Sequence, residues 1–207
     1  MTRRFLTFFF ALSLLCLSGC LLEDTTHTLY IEPDGRVTWR VLRDLVRSDH
    51  DDLDDRYDEE SKFLAAVDGG EGYSELFAGY GAEQTRVQLL RAERPYTVMV
   101  SARFAHVRDL VTAMQAEDDS DSLVSWEQDG SLRSLRVVMD PEDLDDEPEQ
   151  VEGPQVSDDF RLVLTEGRFV EAEGFELAED GAVAIPWEHD EQGREVAVYA
   201  LVWDVDA

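Results

Sequence analysis

The sequence predicts an α+β fold: a mostly antiparallel sheet built from hairpins, with about two helices packed on one face. Short segments in which apolar and polar residues alternate recur along the chain, separated by turns rich in Asp, Gly and Pro. Two other stretches carry apolar residues at helical spacing. Hydrophobic residues make up 43% of the 207 residues, which is enough to fill a core and excludes wholesale disorder.

The first 19 residues have the features of a secretory signal peptide. Arg3 and Arg4 precede an apolar run over residues 5–17, and small residues follow. The run is shorter than the roughly 18 to 20 residues that a membrane-spanning helix needs. One interpretation of this segment is an ordinary signal peptide that is followed by a chance cysteine at position 20.

The stretch Leu17-Ser18-Gly19-Cys20 resembles the lipobox of bacterial lipoproteins. The resemblance implies cleavage between Gly19 and Cys20, and lipidation of Cys20 with a diacylglycerol and an N-acyl group such as palmitate. The chain is then anchored in the cell envelope, on the extracytoplasmic side of a membrane. Leu21 is not the Asp that retains many lipoproteins at the inner membrane, so the outer membrane is favoured in a diderm organism.

The charge of the chain limits its partners. Asp and Glu number 47 against 18 Lys and Arg, giving a formal net charge of −29. Such a surface repels the phosphates of nucleic acids, so a nucleic-acid partner is not expected. Anionic lipid head groups should repel it as well, unless a local basic face or divalent ions intervene.

The elements of the mature chain follow in order. Residues 20–27 form the acylated anchor and a short tether, and residues 28–207 form one domain. A hairpin is predicted over 28–42 with its turn at Pro33-Asp34-Gly35, and then a helix over 57–67 that the following glycines end. A second hairpin joins 85–91 to 96–103, and an amphipathic helix covers 104–114.

The second half of the domain is predicted to be mainly β. A third hairpin joins 122–127 to 131–139, and residues 140–159, with three Pro and few apolar side chains, form an acidic loop. Alternation resumes at residues 160–164, and residues 167–187 supply short strands. The strand at 195–205 is apolar on both faces, which is typical of a strand in the middle of a sheet.

This order of elements resembles the LppM-type domain of bacterial lipoproteins. The stretches that carry the resemblance are DGRVTW at 34–39, SARFAHVRDL at 101–110 and TEGRFVEAEGFELAEDGAVAIPW at 165–187. The resemblance implies an α+β envelope domain with lipid or glycolipid contacts and no known catalysis. The acidity of this chain and its insertion at 140–159 depart from that pattern.

No catalytic residue is nominated, and the chain is not expected to be an enzyme. It contains no Gly-x-Ser-x-Gly, no Gly-rich phosphate loop and no His-Glu-x-x-His, and its four histidines are far apart in sequence. Carboxylates are so frequent that no general acid and base pair can be selected by sequence. No cofactor is predicted beyond the acyl groups and a weakly bound Ca²⁺.

The acidic run at residues 48–60 is the candidate for that weak metal site. Ca²⁺ prefers six to eight oxygen ligands, and Asp49, Asp51, Asp54 and Glu60 are the candidate donors. Leu53 stands where a Ca²⁺-binding loop of the EF-hand type needs an oxygen donor, and Asp54 stands where it needs glycine. A solvated acidic loop is therefore the alternative.

Three tryptophans on predicted strands, Trp39, Trp126 and Trp187, are candidates for the aromatic lining of a ligand groove. Core packing is the ordinary alternative. Two functions are therefore predicted. The first is a non-catalytic envelope lipoprotein that binds a lipid-like, glycolipid or other envelope ligand. The second is a structural lipoprotein that docks on an envelope protein complex through its acidic surfaces.

Overall fold

The computed structural model describes residues 21–70, 72–117, 123–139, 159–187 and 198–207. Within these ranges the predicted α+β class is confirmed, with eleven strands and three helices. Their order is β1 (Leu21–Ile31), β2 (Val37–Ser48), α1 (Leu53–Gly69), α2 (Tyr73–Gly79), β3 (Gln84–Arg91), β4 (Tyr96–Phe104), α3 (Val107–Glu117), β5 (Leu123–Asp129), β6 (Leu132–Val138), β7 (Asp159–Leu164), β8 (Arg168–Glu173), β9 (Phe175–Leu177), β10 (Val183–Pro186) and β11 (Val198–Asp204). The predicted acidic loop at 140–159 lies outside the described residues, except for residue 159.

The described strands form two sheets. Sheet A has seven strands in the order β3-β4-β2-β1-β7-β10-β9, and sheet B has four in the order β5-β6-β11-β8. Most neighbours are antiparallel, but β1 and β7 are parallel. This pair arises because the chain builds β5 and β6 in sheet B before it returns to sheet A beside β1. The strand β11 lies between β6 and β8, which confirms its predicted position in the middle of a sheet.

The three predicted hairpins are present with bounds shifted by a few residues. The turn between β1 and β2 depends on Gly35, whose φ of 85° favours glycine. A Cβ atom at this position would lie 2.5 Å from His106 Nε2. Gly35 therefore allows both the turn and the close approach of the segment that leads into α3.

The strand β1 begins at Leu21, so residues 21–27, expected as a tether, belong to sheet A. Thr25 and His27 are buried on its inner face, opposite Arg43 and Val41 of β2. Polar residues at these inward positions conceal the alternation that marks the rest of the strand. Within the described residues, sheet A therefore begins at Leu21.

The helix α1 begins earlier than predicted because Asp52 caps it. The Asp52 carboxylate accepts hydrogen bonds from the backbone N–H groups of Asp54 at 2.8 Å and Asp55 at 3.3 Å. The helix ends at Gly70, which adopts a left-handed conformation with φ 63°. The short helix α2 was not predicted, because its seven residues lie among glycines and are too few for a clear helical period.

The main core is one cluster of buried apolar residues that come from both sheets and from all three helices. Phe77 of α2 is fully buried, with its ring centroid 5.2 Å from that of Trp39 on β2. In sheet B, Trp203 packs edge to face on Trp126, at 5.3 Å between centroids. Among the described helices, no helix has the length and apolar character required to cross a membrane.

Candidate functional site

The outer face of sheet A carries a row of arginines and hydroxyl residues that crosses five strands. From β3 to β7 it consists of Arg86, Ser101, Arg40, Thr28 and Arg161, each directly beside the next in the strand register. We call this set the arginine row. Because neighbouring strands lie 4.7–4.9 Å apart, successive arginines of the row are separated by about 10 Å and the row spans about 19 Å.

The alternation of each strand directs this row away from the core. Trp39 and Val41 flank Arg40 and are buried, at 4% and 2% exposure. Successive side chains of a strand point to opposite faces, so burying these two places Arg40 on the outer face. In the same way, buried Leu162 follows Arg161 and buried Val100 precedes Ser101. A one-residue slip would bury the arginines, so the apolar core fixes the register of the row.

Two arginines of the row make contacts that hold them along the sheet surface. The Arg40 guanidinium lies over the Tyr30 ring, 4.7 Å from its centroid. Arg161 Nε donates a hydrogen bond to Thr28 Oγ1 at 3.1 Å. Among the described residues no carboxylate forms an ion pair with Arg40, Arg86 or Arg161. Their positive charge is therefore not neutralised within the described part of the chain.

The register rows on either side extend this surface. Towards the β1–β2 turn lie Gln84, Arg103, Thr38 and Tyr30. A shallow cavity of about 370 Å³ opens on the β3, β4 and β2 part of the face. Seven of its nine lining residues are Thr, Ser, Gln or Arg, and the stems of the long side chains add apolar surface: Thr38, Arg40, Gln84, Arg86, Gln88, Met99, Ser101, Ala102 and Arg103.

The register row on the opposite side of the arginine row contains two adjoining apolar residues, Met99 and Leu42. Gln88, Met99, Leu42 and Thr26 form the next register row towards the C-terminal end of β2. Met99 and Leu42 are half-buried, so part of each side chain remains accessible. The face therefore combines a cationic row with adjoining apolar side chains.

This arrangement suits an anionic ligand. A guanidinium presents paired N–H donors that match phosphate and carboxylate oxygens, and hydroxyl and amide side chains hydrogen-bond to sugar or glycerol hydroxyls. The arginine row contains no carboxylate, imidazole or thiol, so it is suited to binding and not to proton transfer. A local basic face thus exists on a chain of net charge −29, and general repulsion of anionic head groups does not hold for this face.

The inner face of sheet A holds a buried ion pair that supports this region. Arg43 Nε and Nη2 contact Glu23 Oε2 at 2.7 and 2.5 Å, and Arg43 Nη1 donates to the Tyr73 hydroxyl. Burial acts to lower the pKa of the Arg43 guanidinium, but Glu23 and Tyr73 outweigh it and the pKa lies above its ordinary value. Arg43 therefore stays charged and links β1, β2 and α2.

His27 is a second buried polar group on this inner face. Its Nδ1 accepts a hydrogen bond from Trp39 Nε1 at 3.2 Å, and its ring stacks on Phe160 with the centroids 6.3 Å apart. Burial lowers the pKa of His27 to about 4. The imidazole is therefore neutral at neutral pH.

The candidate metal donors do not converge on one point. Glu60 is buried and engaged: its Oε1 lies 2.9 Å from Arg94 Nε and accepts from Ser48 N at 3.2 Å. Asp49, Asp51 and Asp54 are exposed. The described residues contain no group of three or more His, Cys, Asp or Glu side chains that could hold a metal ion. The weak Ca²⁺ site stays a prediction.

The three candidate groove tryptophans lie in different surroundings. Trp39 is buried in the core of sheet A, and Trp126 packs between His106 and Trp203 at the junction of the two sheets. Trp187 follows β10 and is 40% exposed. The lipobox, including Gly19 and Cys20, lies outside the described residues.

Arg40, Arg86 and Arg161 were not selected as site residues from the sequence. The alternation in β2 places Arg40 on an outer face, so part of the signal was available. The pairing of β1 with β7 joins residues more than 130 positions apart, and no local pattern predicts it. The arginine row can therefore be recognised only once this strand register is known.

Comparison of the sequence with protein-family models and with curated proteins gives no match. Among solved structures, the chain is similar to the NMR structure of the folded domain of LppM from Mycobacterium tuberculosis. The identity is 13%, the match covers 88% of this chain and 89% of that one, and the TM-score is 0.37. This degree of likeness is too low to carry an argument about fold or function.

Proposed function

We propose that this chain is a non-catalytic, lipid-anchored protein of the bacterial cell envelope that binds a phosphate-bearing, lipid-like ligand on the arginine row. The observation that carries the proposal is the row itself: three arginines alternating with two hydroxyl residues across five strands. The lipobox supports the anchor, and the start of β1 at Leu21 keeps the domain next to it.

The surroundings of the row favour an amphiphile over a simple anion. Phosphate groups would pair with the arginines, while Ser101 would hydrogen-bond to hydroxyls of the head group. Thr28 is buried and accepts a hydrogen bond from Arg161, so it positions that arginine. Met99 and Leu42 on the adjoining register row offer apolar contact to the first part of an acyl chain. A free inorganic anion would pair with the arginines but would make no use of the hydroxyl and apolar contacts.

A titration with short-chain lipids tests the proposal. The full chain is reconstituted in phosphatidylcholine nanodiscs and titrated calorimetrically with dihexanoyl phosphatidylglycerol or dihexanoyl phosphatidylcholine, with empty discs as the blank. We expect the glycerol lipid to bind and the choline lipid not to bind. Raising the ionic strength should weaken binding, because the contacts are charged and exposed.

A pair of triple variants makes the test specific. Replacing Arg40, Arg86 and Arg161 with Gln should weaken binding on the order of 100-fold, since each charged contact contributes about 1 kcal/mol. The control replaces Arg133, Arg136 and Arg168 of sheet B with Gln and changes the net charge equally. Equal affinity of the two variants for phosphatidylglycerol would refute the proposed site.

One observation favours the structural alternative. On the outer face of sheet B, Glu127, Ser134, Val202 and Glu171 form a register row without a basic residue. A protein with a basic surface could dock there. If Glu127→Gln and Glu171→Gln abolish cross-links to an envelope protein while phosphatidylglycerol does not bind, the second function replaces the first.

A further inference from the structure

Exposed apolar side chains gather at one end of sheet A. Of the eleven large hydrophobic side chains that are exposed in the described residues, six lie here and the other five lie on sheet B or near β10. We call these six the apolar end: Leu22, Leu45, Leu53, Tyr57, Leu89 and Leu90. Two of them are irregular strand residues, because the register of β2 shifts between Arg43 and Val46 and that of β3 shifts between Leu89 and Arg91.

The irregularity at Leu45 turns an apolar side chain towards solvent. Leu45 has φ 54°, a left-handed conformation that is unfavourable for leucine, and is 38% exposed. Its neighbour Asp44 accepts a hydrogen bond from the Thr97 hydroxyl at 2.6 Å, which helps to fix the distorted strand. The fold thus keeps Leu45 in a strained backbone conformation that directs its side chain towards solvent.

The first turns of α1 belong to the same end. Glu60 binds Ser48 and Arg94 at the ends of β2 and β4, and it is the first buried residue of the helix. Tyr57 and Leu53 lie one and two turns earlier than Glu60, on one side of the helix, and are 76% and 73% exposed. They therefore continue the apolar surface beyond the sheet.

The first described residues lie at this end. Leu21 and Leu22 pair with Ser48 and Arg47 at the end of β2. The apolar run at residues 5–17 and the lipobox cysteine directly precede them. The membrane that receives this segment or its lipid must adjoin the apolar end.

We propose that the apolar end is a membrane-contact surface that inserts shallowly into the hydrocarbon boundary of the bilayer. The inference rests on the proposed membrane anchor, but it concerns a different surface from the arginine row. Asp49, Asp51 and Asp54 are exposed and lie close to Leu53 in sequence. In the proposed contact these carboxylates stay in the head-group water, so the contact is driven by apolar area and not by anionic lipid.

The contact fixes the orientation of the arginine row. The row lies four to five residues along β2 and β3 from Leu45 and Leu90, a distance of about 15 Å. With the apolar end in the bilayer, the strands stand up from the membrane and the row faces sideways above the head groups. Met99 and Leu42 then lie on the membrane side of the row, where they would contact the acyl chains of a bound lipid, and Asp24 and Asp44 of the next register row lie nearer the membrane.

Fluorescence quenching tests the membrane contact. In the full chain carrying Cys16→Ser, a single cysteine replaces Leu53, Leu90 or Leu123, and each is labelled with an environment-sensitive fluorophore. The proteins are reconstituted into phosphatidylcholine vesicles with brominated acyl chains. Leu123 of β5 is the matched control, because its exposure of 72% equals that of Leu53 within one per cent.

We expect a blue shift and roughly twofold or greater quenching for the labels at Leu53 and Leu90 relative to the label at Leu123. Equal, weak quenching at all three positions overturns the proposal. The arginine-row triple variant separates this inference from the proposed ligand site. Quenching that persists in that variant supports the membrane contact, and quenching that is lost there assigns membrane binding to the row and overturns the role of the apolar end.

Discussion

The outer faces of the two sheets carry different charge patterns. Sheet A presents the arginine row together with Asp24 and Asp44. The outer register rows of sheet B carry two arginines, Arg136 and Arg168, and five carboxylates: Glu127, Asp129, Glu171, Glu173 and Asp204. The Arg136 guanidinium lies 3.8 Å from Glu173, so its charge is partly neutralised. Both sheets bury their apolar inner faces, and folding places no demand on the charge of the outer ones. The basic pattern of sheet A is therefore best explained by binding.

The inner faces also differ, because sheet A buries more polar side chains than sheet B. Five buried polar residues of the described chain lie on the inner face of sheet A or on α1: Thr25, His27, Arg43, Ser48 and Glu60. A sixth, Thr28, belongs to the arginine row on the outer face. The inner face of sheet B is formed by apolar residues such as Leu135, Leu201 and Trp203. Buried polar groups favour one arrangement of their neighbours, because any other packing would leave them without hydrogen-bond partners and would be less stable. Sheet A is thus held more specifically than sheet B.

The largest effect is expected at the buried ion pair of sheet A. Glu23→Gln leaves the Arg43 guanidinium buried without a compensating charge, which should lower the free energy of unfolding by about 3–5 kcal/mol. Thermal unfolding of the full chain in detergent, followed by near-ultraviolet circular dichroism, measures the change. The control Glu173→Gln removes the partner of exposed Arg136 and should cost less than about 1 kcal/mol. Similar costs at both positions would contradict the difference between the sheets.

A somewhat smaller effect on the free energy of unfolding is expected when buried His27 is protonated at low pH. Because the pKa of His27 is lowered to about 4 in the folded state, the unfolded chain binds a proton first as pH falls below 6.5, the ordinary pKa of histidine. The stability that neutral His27 contributes is present above that value and is lost between pH 6.5 and 4, by about 3 kcal/mol in total.

The variant His27→Gln isolates this contribution, because the amide oxygen still accepts from Trp39 Nε1 but does not titrate. Carboxylates also titrate in this range. The informative quantity is therefore the difference between the native chain and the variant in how the free energy of unfolding changes with pH. Stability that falls less steeply in the variant between pH 6.5 and 4 is expected. Parallel curves would show that His27 is not buried as described.

The smallest effect concerns a single arginine at the centre of the row. Arg40→Gln should weaken binding of dihexanoyl phosphatidylglycerol roughly fivefold to tenfold, corresponding to about 1 kcal/mol, without changing stability by more than about 0.5 kcal/mol. Arg136→Gln should leave the affinity unchanged. A larger loss with Arg136→Gln than with Arg40→Gln would place the ligand on sheet B.

The sequence was sufficient for the local elements and insufficient for the site. Pro33-Asp34-Gly35 predicts the first hairpin through turn chemistry, and the alternating apolar residues of β4 predict a strand. The division into two sheets could not be predicted, because it depends on the parallel pairing of β1 with β7 across more than 130 residues. Residues 21–27 were expected as a tether because buried His27 and Thr25 look like solvent-exposed residues.

The same distinction applies to candidate residues. Cys20 and the acidic run at 48–60 are visible as local motifs. Arg86, Arg40 and Arg161 belong to three segments that meet only through strand register. Composition concealed them further, because a chain of net charge −29 does not suggest a basic surface.

Native mass spectrometry tests the central claim most directly. The full chain is purified from a bacterial envelope in mild detergent, together with the two triple arginine variants. We expect a discrete added mass of a phosphate-bearing lipid on the native chain and on the sheet B variant, and its loss from the variant of Arg40, Arg86 and Arg161. A bare native chain, or the same added mass on both variants, would contradict the assignment of the arginine row as the ligand site.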